Sequence, residues 1–296
     1  MMNEMITLIT EPLSYEFIRN ALIISALIGI LCPTVGSYLI VQRMSLLGDV
    51  IAHCVLPGIS ISYFLKIDIL IGAFCSGMLG SFLIAWIRSQ SRVKVDAAMA
   101  LIFSSFFSLG VTLITVLKNK LDLDNFLFGD ILSVTTYDIA RTATIAAIIL
   151  TCVILAYKEL LFYTFDRTGA QAMGLPVAWL NIGFMAAVTL TIIASMQVAG
   201  VILVIALLVG PALTAYLLTQ QLHHMMGVGS LLGVAASVSG VYLSYYNNLP
   251  SGPAIVLVSS VFFLLALFLS PSQGILTRPS STGTAAKILR ALGLMQ

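Results

Sequence analysis

Gly48-Asp49-Val50-Ile51-Ala52-His53-Cys54-Val55-Leu56-Pro57-Gly58 sits in an apolar run, roughly 46–65, long enough to cross a bilayer. Backbone N–H and C=O groups find no water in the hydrocarbon layer, so such a run satisfies them only as a helix. The stretch therefore sets the fold class: an all-α, polytopic membrane protein. On a helix Asp49 and His53, four residues apart, lie on one face about one turn from each other. A carboxylate at membrane depth costs on the order of 3 kcal/mol on insertion scales. A divalent cation offsets that cost, because carboxylate oxygen and neutral imidazole are natural donors to it. Asp49 and His53 are thus the candidate metal-ligating residues.

Composition agrees. Of the 296 residues, 59% are hydrophobic and 9% charged, where a soluble domain averages about 25% charged. The mean hydropathy is +1.07. Cys32, Cys54, Cys75 and Cys152 all lie in apolar runs without CxxC spacing. They read as small core-filling residues rather than as disulfides or a thiolate metal site. The N-terminus carries Glu4, Glu11 and Glu16 and no early Lys or Arg, the reverse of a signal peptide's basic start.

Apolar stretches of spanning length recur at about 17–41, 46–65, 68–88, 96–117, 138–157, 178–197, 199–218, 226–246 and 253–270. That gives about nine transmembrane helices. The division between the sixth and seventh rests only on Gln197-Val198-Ala199-Gly200, where a tight break is expected. With nine spans, alternate loops hold Arg43; Arg88, Arg92 and Lys94; Lys158 and Arg167; and, in the tail, Arg278, Lys287 and Arg290. The other side holds Arg19, Lys66, Lys118 and Lys120. The excess of positive charge places the C-terminus in the cytoplasm and the N-terminus outside. Eight spans would scatter the basic loops over both faces.

The outer loop 118–137 mixes Lys118 and Lys120 with Asp122, Asp124 and Asp130. It reads either as a solvated loop or as a docking surface for a soluble partner outside. Residues 1–279 form one transmembrane domain, and 280–296 a cytoplasmic tail whose last part suits a short amphipathic helix on the inner leaflet.

Most acidic residues have a place at loops or span ends. Asp96 and Asp138 open helices, where a carboxylate caps backbone N–H groups. Asp49 is the exception, because Ser45 is the better N-cap for its helix. Pro57 then removes the donor that would reach the His53 carbonyl, and a weakened backbone at membrane depth is tolerated where it lines a cavity. Pro33 and Pro211 read as simple kinks. One Asp and one His fall short of a metal's shell. Two copies of the chain would double the donors into a mixed O/N set suited to Mn²⁺, Fe²⁺ or Zn²⁺. The site should bind weakly, since conduction requires release. His223-His224 reads as polar residues of an inner loop.

The cytoplasmic segment Phe165–Pro176 predicts a helix of about two turns, capped by Asp166 or Thr168 and ended by Gly174, with Pro176 starting the sixth span. A helix that short is not stable alone and suits a peg for a groove on another protein. The sequence has no GxxxxGK[ST] motif and no nucleophile–base pair. The chain is therefore expected not to be an enzyme, and any ATP hydrolysis belongs to a partner subunit.

Taken together, these residues resemble the permease subunits of bacterial ABC importers for manganese, zinc and iron(II). The resemblance covers roughly 12–276. It is carried by Gly48-Asp49 through His53, Leu56-Pro57-Gly58, Asp96-Ala97-Ala98-Met99, Phe107-Ser108-Leu109-Gly110 and Phe128-Gly129. Phe165-Asp166, Gly174-Leu175-Pro176, Gly200-Val201-Ile202-Leu203-Val204, Gly210-Pro211-Ala212 and Leu249-Pro250-Ser251-Gly252-Pro253 complete the set. It implies a homodimeric permease in the bacterial inner membrane, surrounded by membrane lipid and not by nucleic acid. Two ATP-binding cassette ATPase subunits would sit below it and an external metal-binding protein above.

The resemblance also implies a metal site on the path at Asp49 and His53, and a coupling helix from Asp166 through Ala170 to Gly174. The metal is cargo, and no permanent cofactor is expected. Manganese leads, then zinc or iron(II), because no Cys stands with the pair. The rivals are a secondary divalent-metal/proton transporter, for which one intramembrane Asp is thin, and a scaffold in which Asp49 and His53 only hydrogen-bond between helices.

Overall fold

The computed structural model describes residues 11–118 and 127–270, and among them there is no strand. The described residues contain nine helices long and apolar enough to cross a membrane. In order they are Glu16–Val41, Leu47–Leu65, Ile69–Gln90, Val95–Val116, Thr136–Leu155, Val177–Ala199, Val201–Leu218, Leu222–Asn247 and Ser251–Leu269. The expected ranges hold to within a few residues. The tail 280–296 and the loop residues Lys120, Asp122 and Asp124 fall outside the described residues.

The first span is the axis of the packing. It lies against the seventh and eighth spans, and both of these lie against the ninth. Small residues permit the close crossing. A Cβ added to Gly29 of the first span would stand 2.8 Å from the Gly233 backbone of the eighth, a separation no side chain tolerates. The second span joins this group to the third, fourth and sixth. Of the apolar windows, 72% of each of the first two spans is buried, against 28% of the third and 22% of the fourth and fifth. Those outer spans turn apolar surface outward, as lipid-facing helices must.

Pro33 and Pro211 lie inside continuous helices. At Pro57 the second span divides into Leu47–Cys54 and Leu56–Leu65, with Val55 between them still in helical conformation (φ −73°, ψ −26°). The break is therefore in hydrogen bonding more than in direction. Ser76 of the third span donates to the Cys54 carbonyl at 2.6 Å, covering an acceptor at the joint. The N-cap of this span is Leu46, which makes no side-chain cap, and not Ser45 as its residue type suggested. The chain enters the helix through a turn in which the Leu47 N–H already reaches the Met44 carbonyl, so no cap hydroxyl is required.

Two further corrections concern the loops. His223 and His224 stand in the first turn of the eighth span, which begins at Leu222 after the Gln221 N-cap. Residues 158–165, expected as loop, belong to a separate helix Tyr157–Phe165 that follows a turn at Ala156. Its apolar positions Leu160 and Tyr163 are buried against the bundle, and that tertiary burial stabilises a helix too short to form alone.

Away from the basic loops, the sixth and seventh spans are separated at Gly200, whose φ of 77° is open to glycine. Gly129, φ 64°, lies directly on it: a Cβ on either would collide with the other's backbone. The segment from Leu127 to Val134 is thereby fixed over the break. Asp130 accepts from the Leu132 N–H at 3.1 Å, and Asn20 of the first span reaches the Val134 carbonyl at 3.4 Å. Thr135 and Asp138 then form a reciprocal capping box that starts the fifth span.

Candidate functional site

Asp49 lies in the first turn of the second span, with its side chain 42% exposed. It opens into a cleft of about 510 Å³ shared with Ile205 and Val209 of the seventh span and Ser259 and Phe263 of the ninth. These partners come from the middle of their spans, so the carboxylate stands level with the bundle's interior although its own helix has only begun. Ser259 is buried, and its hydroxyl has no hydrogen-bond partner. It adds a neutral oxygen to a wall that is otherwise almost wholly apolar. Sequence reasoning passed over it, since one serine in the run Ser259-Ser260 carries no periodic signal.

His53 points the other way around the same face. Its side chain is 14% exposed and meets the rings of Phe103 and Phe107 of the fourth span, with centroids at 4.7 and 5.5 Å and planes at 66° and 64°. The two phenylalanines are themselves parallel within 3° at 6.0 Å. Their spacing of four residues on a helix was the available signal, and it went unused because nothing in the sequence says that the fourth span faces the second. Edge-to-face contact of this kind fixes ring orientation.

The imidazole Nδ1 lies 2.9 Å from the Asp49 carbonyl oxygen and 3.4 Å from Asp49 Oδ1. With Nδ1–H donating to that carbonyl, Nε2 keeps the free lone pair and is the atom left to take a metal. The carboxylate oxygens remain acceptors facing the cleft. The expected pairing of Asp49 with His53 is therefore present. Among the described residues no group of three or more His, Cys, Asp or Glu side chains could hold a metal. The donor set within one chain is an oxygen–nitrogen pair and little else.

The second candidate region lies at the end of the bundle that carries Arg43, Arg88 and Arg167. Asp166 caps the short helix Arg167–Ala172 by accepting from the Gly169 N–H at 2.8 Å, and Gly174, φ 78°, follows its end. Ala170 corrects an expectation. The segment that suits a peg for another protein's groove turns this residue inward, where it is fully buried and packs with Tyr163 and Val177. Tyr163 in turn donates to Asn181 Oδ1 at 2.7 Å. The small side chain at 170 lets the helix lie flat against its own chain. The outward face consists of Thr168, Gln171 and Met173, the last 76% exposed.

Comparison with known proteins agrees with this architecture. A family model described as the ABC 3 transport family matches residues 14–270. The Listeria monocytogenes "Manganese transport system membrane protein MntC" is 42% identical over 264 residues, covering 89% of this chain and 94% of that one. The Haemophilus influenzae "Probable iron transport system membrane protein" is 37% identical over 274 residues, covering 93% and 97%. A chain in the solved structure "PsaBC from Streptococcus pneumoniae in complex with Fab" is 39% identical. It superposes with a TM-score of 0.82, covering 92% of this chain and 98% of that one.

Proposed function

This chain belongs to the ABC 3 transport family, and from that premise we propose that it is the permease of an ATP-driven importer of divalent transition metal, manganese first. The names of its relatives support manganese ahead of iron, and zinc remains the third ion for the same donor set. Asp49 and His53 form the ion's station on the path. The observation that carries this reading is a carboxylate and an imidazole lone pair on one helix face, beside an apolar cleft and short of a full shell. Manganese and zinc take four to six donors, so a second copy of the chain supplies the remainder across a two-fold axis. Ions then bind and leave as that interface closes and opens.

In this reading the basic loops face the cytoplasm of a bacterial cell, the membrane is the inner one, and the N-terminus is outside. The helix capped by Asp166 and ended at Gly174 transmits the motion of two ATPase subunits. A metal-binding protein delivers the ion from outside, above the Gly129–Gly200 joint. The wall of the path asks the ion to shed part of its water against few fixed donors, which keeps binding weak enough for release.

The test is cysteine substitution at Asp49 in the assembled transporter. Disulfide formation between two copies in at least one state of the transport cycle is expected. Failure to crosslink, while cysteines elsewhere along the axis do, would give each chain its own path and end the shared-site reading.

A further inference from the structure

At the end of the bundle bearing the basic loops, a cavity of about 340 Å³ opens between the third span, the sixth span and the short helices. Arg88 and Arg167 both line it, and among the described residues no carboxylate does. The ion pairs of the described residues, His53–Asp49 and Arg141–Asp68, involve neither arginine. Arg167 is held by its guanidinium lying 5.6 Å from the centre of the Tyr163 ring. Tyr163 lines the same cavity; burial pushes its phenol upward, while the charges of Arg167 and Arg88 pull it back. Neutral polar groups also line it, Asn181 and Thr164 among them. Asn181 accepts from Tyr163 through Oδ1 and so turns its amide N–H groups elsewhere. Thr164 accepts from Gln42 Nε2 at 3.2 Å and keeps its own proton to give.

The depth of the cavity says what fills it. Trp86 and Trp179 are the only tryptophans in the sequence, and both stand exposed at this end, 53% and 74%. Trp86 is on the third span two residues before Arg88, and Trp179 is in the first turn of the sixth. Exposed tryptophans at helix ends mark the level of lipid headgroups. The third span, which gives Ile84, Ala85, Arg88 and Ser89 to the lining, is among the least buried in the bundle, so one wall of the cavity belongs to a lipid-facing helix.

We propose that this cavity is a binding site for a phosphate group, with Arg88 and Arg167 as its cationic clamp and an anionic phospholipid of the inner leaflet as its source. Guanidinium groups suit phosphate because each presents a planar fork to two oxygens. The volume exceeds what one carboxylate side chain fills. A headgroup lodged here would tie the short helix Arg167–Ala172 to the third span, and so set the stance of the segment assigned above to coupling. The inference rests on the orientation proposed there, basic loops inside.

The experiment uses the intact transporter in nanodiscs of phosphatidylcholine and phosphatidylglycerol, released into native mass spectrometry. Retained phosphatidylglycerol should fall about thirtyfold in Arg88→Gln/Arg167→Gln, given roughly 1 kcal/mol per surface cation. The single variant Arg88→Gln, at an exposed helix end, should lose part of it and guards against misfolding of the double. Arg88→Lys should fall between, since it keeps the charge without the fork. Displacement by millimolar inorganic phosphate would make the source the free ion; persistence makes it the lipid. Unchanged phosphatidylglycerol in the double variant overturns the proposal. So does loss of the ATPase subunits with lipid retention intact, which would mean that a protein carboxylate fills the clamp. Impermeant maleimide on Ser89→Cys reads the orientation separately: labelling from outside would fail that reading and leave a phosphate site standing.

Discussion

The joint at Gly129 and Gly200 and the pair Asp49–His53 differ in what one chain supplies to each. At the joint everything is provided internally. Two glycines in left-handed conformations meet backbone to backbone, Asp130 and Asn20 satisfy the neighbouring groups, and a capping box starts the next span. At the pair a carboxylate faces an apolar cleft, an imidazole keeps a free nitrogen, and no third ionisable ligand stands near among the described residues. A region complete within the chain holds the fold in register. A region left short of donors has affinity to spare for something else. Substitutions should separate the two, the first costing stability and the second costing transport.

The largest effect belongs to Asp49→Asn. Radiometal uptake by the assembled transporter should drop by at least about a hundredfold, since removing even an outer-shell partner of a metal ligand costs ten- to hundredfold. Thermal stability should hardly change. Uptake at the wild-type rate would erase the contrast, because the pair would then be as structural as the joint.

Gly200→Val should do the opposite. A β-branched residue at a φ of 77° meets a penalty of about 1–2 kcal/mol from the backbone alone, and its clash with Phe128 and Gly129 adds about 1–3 kcal/mol. The melting temperature in detergent should fall by several degrees, while metal affinity of the surviving protein is kept. A variant that melts like wild type would show that the joint is not what holds Leu127–Val134 in place.

Ala170→Trp now sharpens the comparison in a different way. Because Ala170 is enclosed by Tyr163 and Val177, a large ring there overpacks the chain's own interior, at about 1–3 kcal/mol. Met173→Asp instead alters the exposed face. It should leave the melting curve unchanged and reduce co-purification with the ATPase subunits several-fold. If Met173→Asp co-purifies normally and Ala170→Trp alone loses the ATPase, the outward face has been misidentified.

The smallest effect is expected from Phe103→Ala, which frees one side of the His53 ring. An aromatic contact of this type is worth about 0.5–1.5 kcal/mol, so metal affinity should weaken a few-fold with uptake still measurable. No change in affinity would show that the Asp49 carbonyl alone orients the imidazole.

Much of this was legible in the residues. The nine spans follow from hydropathy, because a helix in lipid needs only length and apolarity. Asp166 as a cap, Gly174 as a helix end and Gly200 as a break follow from backbone chemistry local to a few residues. The separate helix 157–165 was not legible, because its stability comes from burying Leu160 and Tyr163 against distant segments. The two histidines at 223 and 224 joined a helix whose start has no side-chain cap to announce it.

The sequence by itself determined a helical membrane protein of nine spans, with one carboxylate and one imidazole on a common face of the second. Helical periodicity and the absence of water in lipid leave no other outcome for those residues. Only the tertiary structure decided that Asp49 faces the middle of the seventh and ninth spans, that His53 packs edge-on against Phe103 and Phe107, and that Ala170 turns inward. Hydropathy is a property of each segment alone. Which face meets which depends on the fit of small residues such as Gly29 against Gly233, in contacts some two hundred positions apart, and no local pattern encodes that fit.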